Sequence, residues 1–287
     1  MFTSTEEVLT FIEQEEVQFV DIRFTDLPGM QHHFNVPAST VDEDFFVNGQ
    51  LFDASSIRGF EGIANSDMQL IPDIKTAFVD PFRAAKTLVM TFSVVNPRTG
   101  EPYGRDPRGV AERAEAYLAS TGIADTAFFA SEAEFFIFDD VTYSTEPHNT
   151  GFSVDSVEAA WNTSALEEGG NLGHKMRTKG GYFPVSPNDK QADLRDDISL
   201  KLTDVGLKVE RAHHEVGAAG QAEINYEFNT LVHAADDLMK FKYVVKNVAE
   251  EWGKTATFMP KPLQNDNGSG MHCHQSLWKD GKPLFYD

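Results

Sequence analysis

Residues Glu132-Ala133-Glu134-Phe135-Phe136-Ile137-Phe138 set two carboxylates two positions apart and then run into an unbroken apolar stretch. A strand that is apolar on both faces is a buried strand. Successive strand side chains point to opposite faces, so residues two apart share one. A continuous strand over Phe128 to Phe138 would therefore aim Glu132 and Glu134 into one cavity. Unpaired buried charge is costly, and hard divalent cations offset that cost, because Mg2+ and Mn2+ prefer carboxylate oxygens. Taken alone, the same alternation also fits a strand whose acidic face meets solvent.

Two further stretches have the same character. His213-His214-Glu215 and Gln221-Ala222-Glu223-Ile224 enclose Gly217 and Gly220. Strand, glycine turn and returning strand would bring Glu215 and Glu223 to one region, although a hairpin with polar edges reads the same way. Asn265-Asp266-Asn267-Gly268-Ser269-Gly270 is a tight loop leading into Met271-His272-Cys273-His274-Gln275-Ser276. Glycines there let the backbone approach a ligand and leave N–H groups free. His272 is a candidate metal ligand, and His274 and Ser276 share its strand face; a plain turn and half-buried strand is the alternative. The pairs His213-His214 and His32-His33 are weaker signals, and His32-His33 reads as a surface pair in a hairpin. Gly253-Lys254-Thr255 imitates the end of a phosphate loop, but that pattern needs Gly where Val248 stands, and it follows a helix instead of opening one.

Composition narrows the function classes. With 287 residues, 41% of them hydrophobic, and 23 phenylalanines, the chain can bury the core of one large domain or two smaller ones. A formal charge of −21 argues against nucleic acid or an anionic membrane as partner, since both select basic patches. Cys273 is the single cysteine, so there is no intrachain disulfide framework, and a reducing cytoplasm fits. The start Met1-Phe2-Thr3-Ser4-Thr5-Glu6-Glu7 lacks the basic and apolar regions of a signal peptide, and no apolar run is long enough to span a bilayer.

Along the chain, residues 4–15 read as a helix capped by Ser4 or Thr5. Val17 to Phe24 and Gln31 to Val36 read as strands around the turn Asp26-Leu27-Pro28-Gly29, and Thr76 to Val79 and Thr87 to Val95 as further strands. The Pro/Gly-rich break Asn96 to Gly104 separates a β-rich region, residues 1–104, from a mixed region, 105–287. Asp106-Pro107 starts a helix with Ala111, Ala114, Tyr117 and Leu118 inward. Asp189 caps a helix through Leu194, Ile198, Leu202 and Val205 that Gly206 stops. Lys208 to His213 is a strand, Ala235 to Trp252 an amphipathic helix with Leu238, Met239, Val245, Val248 and Trp252 inward, and Ala256 to Met259 a last short strand.

Taken in order, Phe52-Asp53-Ala54-Ser55-Ser56-Ile57-Arg58-Gly59-Phe60, Glu132 to Phe136, Lys179-Gly180-Gly181-Tyr182-Phe183-Pro184, His213 to Gly217 with Gly220 to Ile224, and Asn267 to Ser276 closely resemble type I glutamine synthetase, the bacterial dodecameric form. The resemblance covers essentially the whole chain. It implies an α+β fold: a β-grasp-like N-terminal domain followed by a catalytic domain built on an antiparallel sheet with helices. It also implies a cytoplasmic homo-oligomer whose sites are shared between neighbouring subunits. It places Glu134, Glu215 and Glu223 around one Mg2+ or Mn2+ and Glu132 and His272 at a second. By the same carry-over Glu210, Phe228, His274 and Ser276 contact ATP, and Asn267 and Gly268 contact L-glutamate. Asp53 reaches a neighbour's site to bind and deprotonate ammonium, and Tyr182 lines the ammonium pocket.

The expected reaction is ATP-dependent ligation of ammonia to the γ-carboxylate of glutamate through a γ-glutamyl phosphate. A γ-glutamyl ligase of the same family acting on a polyamine or other amine is the near alternative, and a non-catalytic assembly or regulatory module the distant one. Against the family pattern the chain stops at Asp287. It then reads as a fragment, inactive alone, without the arginines that grip glutamate and phosphate, the acidic flap and a third ligand to the second metal. Ala54 also stands where glycine is usual, and Gln264-Asn265 where Phe-Gly is usual.

Overall fold

Ser4 opens the first helix. Its hydroxyl accepts from the Glu7 amide at 3.2 Å, and α1 (Thr5–Gln14) follows with Val8 and Ile12 buried, the spacing that puts residues on one helical face. In this computed structural model, which describes residues 2–164 and 170–286, the chain continues through β1 (Phe19–Thr25), β2 (Gln31–Pro37), α2 (Glu43–Asn48), β3 (Gln50–Asp53), β4 (Asp67–Val79) and β5 (Thr87–Val95). These five strands make one sheet in the order β2-β1-β5-β4-β3. β1 lies antiparallel to β2 and parallel to β5. Val20, Ile22, Phe24, Leu70, Leu88, Met90 and Phe92 bury one core with Val8 of α1. This mixed sheet carrying a helix is the β-grasp-like unit expected of the N-terminal region.

The rest of the chain runs α3 (Pro107–Thr121), β6 (Thr126–Ala133), β7 (Phe135–Phe138), β8 (Asp140–Glu146), β9 (Asn149–Asp155), α4 (Ala192–Asp204), β10 (Val209–His214), β11 (Gln221–Tyr226), β12 (Asn229–Thr230), α5 (Leu231–Glu251), β13 (Thr255–Thr257), β14 (Met271–Lys279) and β15 (Lys282–Pro283). One sheet has the order β10-β11-β7-β13, with every pairing antiparallel. A second is ordered β12-β6-β14-β15, and β8 and β9 form a separate hairpin. Two compact units result: Met1–Phe128 with Asn229–Met239 and Gln275–Asp287, and Phe129–Phe228 with Lys240–His274. Among the described residues no helix is long and apolar enough to cross a membrane.

Several expected elements are corrected. Asp106 caps α3 as read, accepting from the Arg108 amide at 3.0 Å, but the inward face differs. Ala114 and Tyr117 are exposed, and Gly109 is the buried position. Polar anchors set the rotation of this helix. Arg108 bonds Asp73, Glu112, Asp236 and Ser93, and Glu115 accepts from the Val232 amide.

Asp189 does not cap α4. It is buried and paired with Arg195 in the first turn, while Gln191 precedes the helix without a side-chain cap. The inward set Leu194, Ile198, Leu202 and Val205 is buried as read. α5 begins at Leu231, four residues before the expected Ala235, and Trp252 lies half outside, its indole donating to Asp197 at 2.9 Å. Thr76 to Val79 is the tail of a 13-residue strand, and the strand expected over Ala256 to Met259 is β13, ending at Thr257. His32 and His33 are more than a solvent-facing pair: they meet Asp26 at 2.9 Å and the buried Asp21 at 2.7 Å.

Arg108 is the polar hinge pin of the first unit. Burial raises the Asp236 carboxyl, and the hydrogen bonds and charge of Arg108 oppose that rise. Removing the cation leaves Asp73 and Asp236 facing each other with, among the described residues, only the Lys75 amide on Asp73 and His233, 3.9 Å from Asp236, beside them. Arg108→Met should cost roughly 3–5 kcal/mol, the range for breaking a buried pair from one side. Urea unfolding of the two proteins measures it, and a loss under about 1 kcal/mol would show that the network is dispensable.

Candidate metal centre and active site

Glu134 lies between two strands, not within one. The expected strand Phe128 to Phe138 divides into β6 and β7, and the two halves join different sheets, β6 beside β14 and β7 between β11 and β13. The physical reason is in the burial. β7 is buried at all four positions, whereas β6 is mixed along its length, and one strand cannot serve a closed core and a half-open sheet at once. At the switch the Glu134 amide leaves both ladders and donates to the Gly270 carbonyl at 3.1 Å. Glu132 therefore reaches the site from β6, and Glu134 from the break between the two sheets.

The strand–turn–strand reading of Glu215 and Glu223 holds. β10 and β11 pair antiparallel, with His213 opposite Glu223, and the Glu215 amide closes the turn onto the Gln221 carbonyl at 2.8 Å. Ligand atoms of His213, Glu215 and Glu223 all lie within 4.8 Å of one another. His213 is the member that sequence reasoning ranked too low; its signal is the cross-strand register with Glu223. Burial raises the Glu134 carboxyl above its ordinary range, the Gly270 amide opposes this, and the negative charges of Glu215 and Glu223 push it further up. Among the described residues, no lysine or arginine pairs with Glu134, Glu215 or Glu223.

Backbone and amide donors hold these carboxylates instead. Glu134 Oε2 accepts from Gln221 Nε2 at 2.6 Å and from the Gly270 amide at 3.1 Å. Gln221, itself buried, accepts from the Gly217 amide and donates to the Gly268 carbonyl. Two glycines make room for this. A Cβ at Gly217 would sit 2.6 Å from Gln221 Oε1 and 2.7 Å from the Phe136 ring, and one at Gly270 would sit 3.1 Å from Glu134 Oε1. Glu223 Oε1 accepts from Asn225 and Glu215 Oε2 from the Val216 amide.

A second group adjoins the first. Glu132 faces two histidines on β14, with His272 Nδ1 at 3.3 Å and His274 Nε2 at 3.2 Å. That is the same-face relation expected of residues two apart. Both rings are largely exposed, and His272 also acts on Glu134, lowering its carboxyl by charge. The structure thus groups Glu132, Glu134, Glu215, Glu223 and His272, and adds His213 and His274.

The remaining candidates have separate surroundings. Tyr182 stacks on Phe183 and sits edge-on to His213, ring centres 6.0 Å apart, which brings it to the cluster. Glu210 stands at a bulge in β10 between Val209 and Arg211, an irregularity that re-aims a side chain, and it is exposed, as is Phe228. Gly268 joins through its carbonyl, and Asn267 follows the buried Asp266, whose carboxylate accepts its amide at 2.9 Å. Asp53 and Ser276 belong to the other unit. Asp53 ends β3 and is exposed, with its carboxyl lowered by the hydroxyl and amide of Ser55. Ser276 accepts from the Trp278 indole at 3.0 Å.

Comparison with known proteins identifies the family. Residues 16–97 match the family model for the glutamine synthetase beta-Grasp domain, and residues 104–287 that for the glutamine synthetase catalytic domain. The chain is 62% identical over 287 residues to a glutamine synthetase of Streptomyces coelicolor and 60% identical over 286 residues to one of Frankia alni. All of the chain is covered in both alignments, and it spans about 60% of each relative's length. Among solved structures it is similar to a Plasmodium falciparum glutamine synthetase, with a TM-score of 0.91, 31% identity, and coverage of 100% of this chain and 56% of that one.

A carboxyl whose pKa is higher folded than unfolded opposes folding increasingly as pH rises through its unfolded value. Glu134 is such a group, and a bound cation reverses the effect. Glu134→Gln keeps an oxygen for Gln221 and Gly270 but removes the charge. At pH 7.5 it should raise the melting temperature of the cation-free protein by a few degrees, about 1 kcal/mol after solvent screening of a half-exposed group. It should also remove most of the rise that Mn2+ gives the wild type. A lower melting temperature with the Mn2+ effect intact would contradict this.

Proposed function

The chain belongs to the glutamine synthetase family, and from that premise we propose that it carries the metal-binding part of an ATP-dependent glutamate–ammonia ligase. The observation that carries the reading is the convergence of Glu134, Glu215 and Glu223, which among the described residues meet histidines but no lysine or arginine. Such a donor set fits a hard divalent cation by charge and by oxygen chemistry, and either Mg2+ or Mn2+ suits it. Glu134, Glu215 and Glu223, with His213 against them, would hold one cation, and Glu132 with His272 another. Bound there, the cations neutralise phosphate oxygens and align the reacting groups.

In the proposed reaction a glutamate γ-carboxylate oxygen attacks the γ-phosphorus of ATP, ADP leaves, and a γ-glutamyl phosphate forms. Ammonia then attacks the acyl carbon and phosphate departs, giving glutamine. Asn267 and Gly268 are assigned to the glutamate and Glu210, Phe228, His274 and Ser276 to the nucleotide. Tyr182, edge-on to His213, is assigned to the ammonium pocket. Asp53 is assigned to ammonium in a neighbouring subunit of a homo-oligomer; its lowered carboxyl suits it to hold the cation at any pH where the enzyme works. The partition into an N-terminal domain, residues 1–104, and a catalytic domain from 105 rests on the Pro/Gly-rich break at Asn96 to Gly104.

The protein that carries this chain should release phosphate from ATP only when glutamate, ammonium and a divalent cation are all present. Release with another amine but none with ammonium would overturn the acceptor. Asp53→Asn should raise the ammonium KM roughly tenfold or more, the scale of losing a charged hydrogen-bond partner, while the ATP KM changes little. An unchanged ammonium KM would remove Asp53 from the site.

A further inference from the structure

We infer that Asp266 is a positioning residue that clamps three site-bearing loops to one another, an inference that rests on the reading of function above. Asp266 is 3% exposed. Its Oδ1 accepts from the Lys179 amide at 3.0 Å and from the Asn267 amide at 2.9 Å, and its Oδ2 accepts from the Ala218 amide at 2.9 Å. Lys261 does not neutralise the carboxylate: its ammonium bonds the Asp266 main-chain carbonyl. A buried carboxylate is tolerable when amide donors replace its water, and here three donors from three separate segments do so.

Each segment carries a residue assigned to the reaction. Lys179 lies three residues before Tyr182, Ala218 three after Glu215, and Asn267 with Gly268 directly follows Asp266. None of the three donor residues lies in a helix or strand; the first two segments also share a backbone bond, Gly181 amide to Val216 carbonyl at 3.0 Å, but among the described residues only Asp266 bonds all three. Asp266 supplies the common point, and Gln221 ties the same turn to Glu134 and Gly268. The ammonium-side aromatic, a metal carboxylate and the glutamate loop thereby share one anchor.

Asp266→Asn keeps the side-chain volume and removes this function. Whichever way the amide is turned, its NH2 faces a backbone N–H, and either the Ala218 bond or the Lys179 and Asn267 bonds are lost. In the protein that carries this chain, Asp266→Asn should raise the glutamate KM about tenfold, the scale of a lost charge-assisted bond, and lower kcat. The ATP KM should stay within about twofold, because Glu210 and Phe228 lie outside the three loops. A substitution that only loosened the fold would lower the melting temperature and leave the glutamate KM in place, and a glutamate KM within about twofold of wild type overturns the inference.

Hydrogen exchange on the wild-type protein is a second measurement, independent of whether the variant folds. The Lys179, Ala218 and Asn267 amides should be protected together despite lying in loops. Exchange of the Lys179 or Ala218 amide at free-peptide rate overturns the inference. A wild-type protein that releases no phosphate with glutamate and ammonium sinks the functional reading, and the three amides then decide the Asp266 geometry by themselves.

Discussion

Mutual repulsion among Glu134, Glu215 and Glu223 is the constraint around which this region is built. Three carboxylates are held close and partly out of water, with histidines but, among the described residues, no lysine or arginine against them. Left alone, such an arrangement favours proton uptake or local opening. That it is nonetheless built, from three separate places in the chain, is the physical case for a cation. The switch of sheets delivers Glu134, the turn after β10 delivers Glu215, β11 delivers Glu223, and the loop before β14 supplies the Gly270 amide that holds Glu134.

What offsets the repulsion is a set of neutral donors: the Gln221 amide and the Gly270 N–H on Glu134, Asn225 on Glu223 and the Val216 N–H on Glu215. Asp266 holds the adjoining loops by accepting three backbone amides, and Gly217 and Gly270 leave room where a Cβ would crowd the site. Beneath them, His214 and Glu158 form a fully buried pair at 3.0 Å, and His214 also bonds the Glu215 carbonyl at 2.7 Å. Burial alone would lower the His214 pKa, and the bond and charge of Glu158 outweigh it, so the ring is raised overall. These contacts fix the carboxylates' positions through the protein's own donors.

Local pattern revealed much of this, and distant pairing the rest. Glu215 and Glu223 were legible because a glycine turn returns the chain within eight residues. His272 and His274 were legible because a strand period of two fixes their common face. The division at Glu134 was not, because Glu132 to Phe138 reads as one strand until β11 and β13 are known to claim only its second half. Asp266 stayed hidden for a similar reason: two of its amide partners are 48 and 87 residues away. The face of α3 was misread because buried ion pairs of Arg108, not an apolar stripe, orient that helix.

Charge count separates the two candidate metal positions. The first has three carboxylates partly withdrawn from solvent, the second a single carboxylate and exposed imidazoles. Ligand charge is a principal determinant of affinity for hard cations. Calorimetric titration of Mn2+ into the wild type and into Glu223→Gln tests the central claim most directly. The wild type should show two unequal sites, with the tighter one lost in the variant and the weaker one kept. Equal affinities, or a tight site that survives Glu223→Gln, would contradict it.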